Sequence, residues 1–366
     1  MGGAIAKAGR EERLKIAYNE SVLVHHPHFL FHQKGDAMSE LRDKRVLITG
    51  ANGFLGSILA QRVASEGGQV IALVRSQAQT DTMIGQGFEA IRGDMTNRES
   101  LHRAVETADI VLHAAANFGK FQDQRDVNLN GTRTLAEECA FAGVQRMIYV
   151  SSMAVYGFGR RGVVTEEMTP VPATYDYSRT KYGGEVALRE VALHTGLPFS
   201  IIRPGMIYGA GSTNWTLALF KHAKRAPVLF PGEGDGSAHP IYIDDVVDMI
   251  LRMATDDRAL GQVFNCTPDP APTWREWLLG YARLAGGHQQ WRAIPPFLAH
   301  MGAGLGMMFA PAGSGRRDLP EILEMFLSRV TFSTAKGREL LGWEQKISLA
   351  EGIERCIPYL RAQNLL

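Results

Sequence analysis

The sequence predicts an α/β protein, a doubly wound parallel sheet with a smaller C-terminal substrate-binding lobe, and three observations carry that reading. Six apolar runs alternate with helix-patterned stretches from Lys44 onward. The runs are continuous rather than alternating, the pattern of strands covered on both faces. The first run ends in a glycine-rich turn that opens a helix. Parallel neighbours need a crossover, and a helix between successive strands supplies it. Ligands of such sheets lie beyond the carboxyl ends of the strands, where strand order reverses.

The elements follow in order. Residues 1–40 read as a loosely ordered extension: a short helix-forming stretch, then Pro27 among His25, His26, His28 and His32 with no period. It has no apolar core before a cleavage site, and Glu11 and Glu12 argue against a transit peptide. The histidines lack carboxylate or cysteine support, so no metal is expected. Residues 41–212 read as the dinucleotide-binding core. Its strands are expected at 45–50, 69–75, 88–94, 110–116, 146–152 and 199–205, with helices at 57–67, 127–143 and 177–196. Residues 213–366 read as the substrate lobe, with strands near 240–245 and 262–267 returning to the core. The most apolar lobe stretch, 294–310, holds two prolines, three glycines and His300. It is shorter than the roughly twenty residues that span a bilayer, and a packed helix is expected rather than membrane association.

Lysine plus arginine number 39 against 38 acidic residues, with no block of one sign, so a nucleic-acid partner is not expected. The three cysteines, Cys139, Cys266 and Cys356, are far apart and odd in number, which suits a reducing, cytoplasmic setting.

The turn reads Gly50-Ala-Asn-Gly53-Phe54-Leu55-Gly56. Glycines there let backbone amides approach a pyrophosphate at a helix N-terminus, although the spacing is not the commoner Gly-x-Gly-x-x-Gly. Asp94 and Met95 follow the third strand, where a carboxylate can accept from an adenine amino group. Ala114, Ala115 and Ala116 are small enough for a flat cofactor to lie close. The second strand ends at Arg75 with no acid at its tip. An acid would bind a ribose 2′-hydroxyl and an arginine suits a 2′-phosphate, so NADP is favoured over NAD. Tyr177 and Lys181 stand four residues apart, on one face of a helix. A lysine so placed is expected to lower the tyrosine pKa. Ser151 and Ser152, at the end of the fifth strand, place a serine hydroxyl where it can orient a substrate oxygen while Tyr177 exchanges the proton.

Taken in order, TGANGFLG, GDMTNRESL, VLHAAA, VNLNGT, YVSSMAVYG, YSRTK, RPGMIYG and HPIYIDDVVD resemble the extended short-chain dehydrogenase/reductase family, also called the NAD-dependent epimerase/dehydratase family, from about Arg45 to the C-terminus. The resemblance implies a Rossmann-type fold and a Ser152-Tyr177-Lys181 catalytic set. Asn128 would organise the helix, Lys181 would hold the nicotinamide ribose, Ser151 would support the nicotinamide pocket, and Pro204 and Gly205 would line the nicotinamide amide. Departures bear on the substrate. Met153 and Ala154 replace the Asp-Glu pair of 4,6-dehydratases, Met206 replaces an asparagine of nucleotide-sugar epimerases, and Ala238 replaces their diphosphate-gripping arginine. Hydride transfer on a secondary alcohol or ketone, as in dihydroflavonol reductases and 3β-hydroxysteroid dehydrogenases, is expected. A nucleotide-sugar epimerase is the alternative, with Arg160, Arg161, Lys221, Lys224 and Arg225 as other phosphate ligands, and a non-catalytic dinucleotide sensor is the third reading. A small-molecule substrate is the expected partner. The helices at 128–143 and 177–196 could pair two copies into a homodimer, as they do in relatives.

Overall fold

The computed structural model describes residues 40–172, 175–308 and 319–366; the four clustered histidines and nearly all of the N-terminal extension lie outside the described residues. The strands are β1 (Arg45–Thr49), β2 (Gln69–Val74), β3 (Glu89–Arg92), β4 (Ile110–His113), β5 (Arg146–Val150), β6 (Gly162–Val164) and β7 (Phe199–Pro204). Then come β8 (Met206–Tyr208), β9 (Val228–Pro231), β10 (Pro240–Tyr242), β11 (Val263–Cys266), β12 (Trp291–Ile294) and β13 (Val330–Phe332). Seven form one sheet in the order β11-β7-β5-β4-β1-β2-β3, parallel throughout. The order runs outward from β1 to β3 and then restarts at β4 on the other side of β1. The reversal therefore lies between β1 and β4, where a doubly wound sheet opens its ligand crevice.

The helices used below are α1 (Phe54–Ser65), α2 (Gln77–Gly85), α3 (Arg98–Val105), α4 (Phe121–Gln124), α5 (Thr132–Ala142), α6 (Asp176–Thr195), α7 (Leu219–Ala223), α8 (Ile243–Thr255), α9 (Trp274–Leu284), α10 (Pro296–Met308) and α11 (Leu319–Leu327). On one face, α3, α5 and α6 pack side by side, and Leu47, Leu101, Leu135, Met147 and Leu188 join in the core beneath them. On the other face, α1 lies against α8. The apolar runs of β1, β4 and β5 are buried along almost their whole length, as continuous runs should be.

Two expectations need correction. The 88–94 run is not covered on both faces: β3 is the sheet edge, and Glu89 and Arg92 are exposed. Of the two segments expected to return to the core, Val263–Cys266 adds the seventh strand, whereas Pro240–Tyr242 pairs with β8 in a separate two-stranded ribbon and leads into α8. The stretch from Pro296 forms α10, packed on α11. Among the described residues no helix is long and apolar enough to cross a membrane, and no cluster of potential metal ligands occurs.

Candidate active site

β1 and β4 deliver their backbones to the crevice almost in contact. Gly50 has φ +70°, and a Cβ there would stand 3.0 Å from Ala115 Cα. A Cβ on Gly56 would lie 2.1 Å from the Gly50 carbonyl oxygen, so the first turn of α1 presses onto the strand end. Only glycine allows both approaches. Gly53 precedes α1 and provides no side-chain cap, leaving the amides of Phe54, Leu55 and Gly56 at the positive end of the helix dipole for an anionic ligand. Phe54 packs toward Gly209 and Gly211, and Leu55 is buried. Ala114, Ala115 and Ala116 are half-buried at the exit of β4, and the Ala115 amide donates to Thr49 Oγ1 at 3.1 Å. These features fit a dinucleotide pyrophosphate.

The catalytic candidates meet at the carboxyl end of β5. Ser152 continues the extended chain (φ −161°, ψ 150°) and caps the short 3₁₀ turn Met153–Tyr156 by accepting from the Ala154 amide at 3.2 Å. Its hydroxyl lies close enough to the Tyr177 phenol to favour the ionised form. Tyr177 sits in the first turn of α6 and stacks on Phe118 with ring centroids 4.7 Å apart. Lys181, one turn further, is 1% exposed and holds its ammonium 4.1 Å from the centre of the Tyr149 ring.

The electrostatics differ from the expectation that Lys181 would depress the Tyr177 pKa. Burial pushes the phenol above its ordinary value, with Tyr175 adding to the rise and Ser152 opposing it. Burial likewise lowers Lys181 to about 7, with Glu185 resisting. Both groups are favoured in neutral form because the loss of solvent outweighs what their neighbours return.

Ser151 is engaged by a neighbouring carboxylate. Its hydroxyl donates to Glu185 Oε1 at 2.5 Å. Glu185 is gripped by Arg203 through Nε (2.9 Å) and Nη2 (2.6 Å), and Arg203 Nη1 donates to the Tyr156 hydroxyl at 2.7 Å. Tyr156 in turn donates to Asn265 Oδ1 at 2.8 Å. Glu185 and Arg203 are 0% and 2% exposed. Ser151 thus faces a buried ion pair.

Asn128 lies in a π-helical turn, Arg125–Gly131. Its Oδ1 accepts from the Asn117 amide (2.8 Å), while Nδ2 donates to the Asn117 carbonyl (2.9 Å) and to Thr180 Oγ1 (3.2 Å). It therefore ties the loop after β4 to α6 and touches no reacting group. A Cβ on Gly184 would come within 2.4 Å of the Asn128 carbonyl oxygen, which shows how closely α6 seats against this turn.

A family model described as the NAD dependent epimerase/dehydratase family matches residues 46–267. The chain belongs to that family. UDP-glucose 4-epimerase of Mycolicibacterium smegmatis is 28% identical over 338 residues, covering 87% of this chain and 98% of that protein. Sterol demethylase protein B of Methylococcus capsulatus is 32% identical over 270 residues, covering 69% and 78%. Among solved structures, UDP-glucuronic acid 4-epimerase from Bacillus cereus in complex with NAD superposes with a TM-score of 0.69 at 22% identity, covering 87% and 99% of the two chains, a likeness of fold.

The remaining candidates divide within this family fold. Arg75 is exposed at the tip of β2, and its guanidinium has no hydrogen bond or ion pair among the described residues. Beside it Ser76 and Gln79 form a capping box that starts α2. Asp94 Oδ1 accepts from the amide (2.8 Å) and hydroxyl (2.6 Å) of Thr96. The Met95 side chain packs in the core with Leu73 and Leu101. Pro204 ends β7, and Gly205 donates to the Cys266 carbonyl at 2.9 Å. Sequence reasoning missed Glu185 and Phe118. Arg203 inside an otherwise apolar strand signalled a buried acidic partner, and Glu185, four residues after Lys181, shared its helix face. Phe118 carried no signal, since its meeting with Tyr177 is made by tertiary structure.

Proposed function

We propose that the protein is an NADP-dependent oxidoreductase of the extended short-chain type, acting on a secondary alcohol or ketone carried on an apolar skeleton. The observation that supports this reading is the corner in which the Ser152 hydroxyl neighbours the Tyr177 phenol, one helical turn from buried Lys181. A nicotinamide bound along the β1–β4 crevice supplies or accepts the hydride. Ser152 orients the substrate oxygen and Tyr177 gives or takes its proton. Lys181 anchors the ribose and holds a charge that can be relinquished near neutral pH.

The substrate class rests on apolar positions. Met206 and Ala238, 3% and 0% exposed, stand where the epimerases resembled by this chain have an asparagine and an arginine. Two of the cations named as other phosphate ligands are committed: Arg160 donates to the Tyr156 and Thr169 carbonyls, and Lys224 to the Leu365 carbonyl. The near-full-length likeness to a UDP-glucose 4-epimerase supports the second reading, sugar epimerisation. Assaying the purified protein with NADPH against a 3-ketosteroid, an aromatic ketone and UDP-glucose separates them. Net NADPH consumption with a ketone is expected, and interconversion of the sugar without net consumption would overturn the proposal.

The cofactor preference rests on Arg75 and its free guanidinium. Arg75→Ala should weaken NADP binding by about tenfold or more, the worth of a charge-assisted hydrogen bond, while NAD binding changes little. Equal effects on both cofactors would remove Arg75 from the 2′-phosphate. Three buried cysteines with free thiols suit a reducing, cytoplasmic compartment.

A further inference from the structure

Beside the catalytic corner lies a buried side chain without the partners that burial demands. His239 is 2% exposed, and neither of its ring nitrogens has a hydrogen-bond partner among the described residues. An unsatisfied buried polar atom costs about 1–3 kcal/mol, and native proteins keep few of them. The ring is held by its backbone and by packing. The His239 carbonyl accepts from the Met206 amide at 2.7 Å, and a Cβ on Gly205 would stand 2.3 Å from that oxygen. The imidazole meets Phe332 edge-on, with centroids 4.8 Å apart and planes at 75°.

His239 borders a cavity of about 20 Å³ whose apolar walls include Met153, Phe158, Met325 and Phe332. The cavity wall reaches toward the reacting corner through Met153 and Phe158. Met153 follows Ser152, and the Phe158 ring lies 5.8 Å from Tyr175, itself 6.1 Å from Tyr177. Its other polar neighbours are Arg160, Ser237 and Ser328. Arg160 is occupied by two carbonyls, and Ser237 Oγ already accepts from the Val330 amide at 3.1 Å.

Burial lowers the imidazole to about 4, so at neutral pH it is uncharged and presents one N–H and one lone pair. A fully ionised phosphate only accepts, so it would use the ring N–H and leave the ring's lone pair unmatched. A hydroxyl, which donates and accepts, satisfies both. The space admits about one oxygen atom, so the rest of such a ligand lies outside the cavity.

We propose that His239 is a specificity-determining residue that binds a second hydroxyl of the substrate, carried on apolar carbon near the carbinol that reacts at Ser152 and Tyr177. The assignment rests on the alcohol or ketone reading above and narrows it to substrates with an additional oxygen.

The test is side-chain ¹H–¹⁵N correlation of the full-length protein with NADP, titrated with cyclohexane-1,2-diol, cyclohexane-1,4-diol and methylcyclohexane. The His239→Leu spectrum identifies the signal. Either diol should shift the His239 nitrogens, and methylcyclohexane should not. His239→Gln, which keeps a donor and an acceptor, should hold the diol within about tenfold of wild type, and His239→Leu should lose it. Nitrogens that stay in place with both diols would overturn the proposal and leave His239 to a structural water. The two readings fail separately. Absence of NADPH turnover with every ketone defeats the oxidoreductase reading while the nitrogen shifts still report on His239, and turnover with unmoved nitrogens defeats the His239 assignment alone.

Discussion

Ser151 and Ser152 leave β5 side by side, yet Ser151 donates to Glu185 within a buried ion pair and Ser152 neighbours Tyr177. Extended chain sends successive side chains to opposite sides, so a one-residue step separates two environments. Helix α6 serves both. Tyr177, Lys181 and Glu185 recur every four residues along one face, the first two at the reacting corner and the third in the ion pair. In the ion pair each charge is matched: both Glu185 oxygens accept from Arg203, and Tyr156 extends the chain to Asn265. At the corner Lys181 is buried and Tyr177 half-buried, with less compensating charge than desolvation demands, and their pKa values move accordingly. A satisfied network fixes position, and an under-satisfied one keeps protons ready to move.

The sharpest break is expected from Tyr177→Phe, which should lower kcat by about 10² to 10⁴. Cofactor binding, followed by fluorescence titration, should persist, and an unchanged rate would remove Tyr177 from proton transfer. Glu185→Ala should act on the other environment, leaving Arg203 buried and unpaired. The expected cost is about 3–5 kcal/mol in urea unfolding, and an unmoved midpoint would show that the pair is not what holds α6 to β7.

The serine pair separates the two roles within one step of chain. Ser152→Ala should reduce kcat by about a hundredfold with little loss of stability. Ser151→Ala should do the reverse, costing about 1.5–3 kcal/mol of stability for the lost bond to a carboxylate while turnover persists. Matching effects from both substitutions would collapse the distinction.

A separate check is a pH dependence of stability. Folded Lys181 titrates near 7 against an ordinary value of 10.5, so unfolding takes up a proton between those values and its contribution to stability rises with pH across that window. Lys181→Met removes the contribution. Its stability advantage over wild type, measured by thermal unfolding, should be greatest below pH 7 and should shrink toward about pH 10. A constant difference would contradict the burial of the ammonium.

Local signals made much of this legible in the sequence. Continuous apolar runs announced the strands, and the glycines at 50, 53 and 56 marked the turn where backbones almost touch. The spacing of Tyr177 and Lys181 placed both on one face of α6. What escaped depends on distant partners. The partly exposed β3 is set by its place at the sheet edge, and the inward turn of Ser151 by an ion pair joining α6 to β7. The sign of the Tyr177 shift followed from burial, which spacing does not reveal. The π-helical turn around Asn128 follows from contacts with Asn117 and Thr180, and only the asparagine itself was visible beforehand.

The measurement closest to the central claim follows deuterium from NADPH labelled at nicotinamide C4 into product, with a ketone as substrate. The proposed chemistry predicts label at the new carbinol carbon in wild type and its loss in Tyr177→Phe. Unlabelled ketone alongside conversion of UDP-glucose to its 4-epimer, with the cofactor unspent, would contradict it.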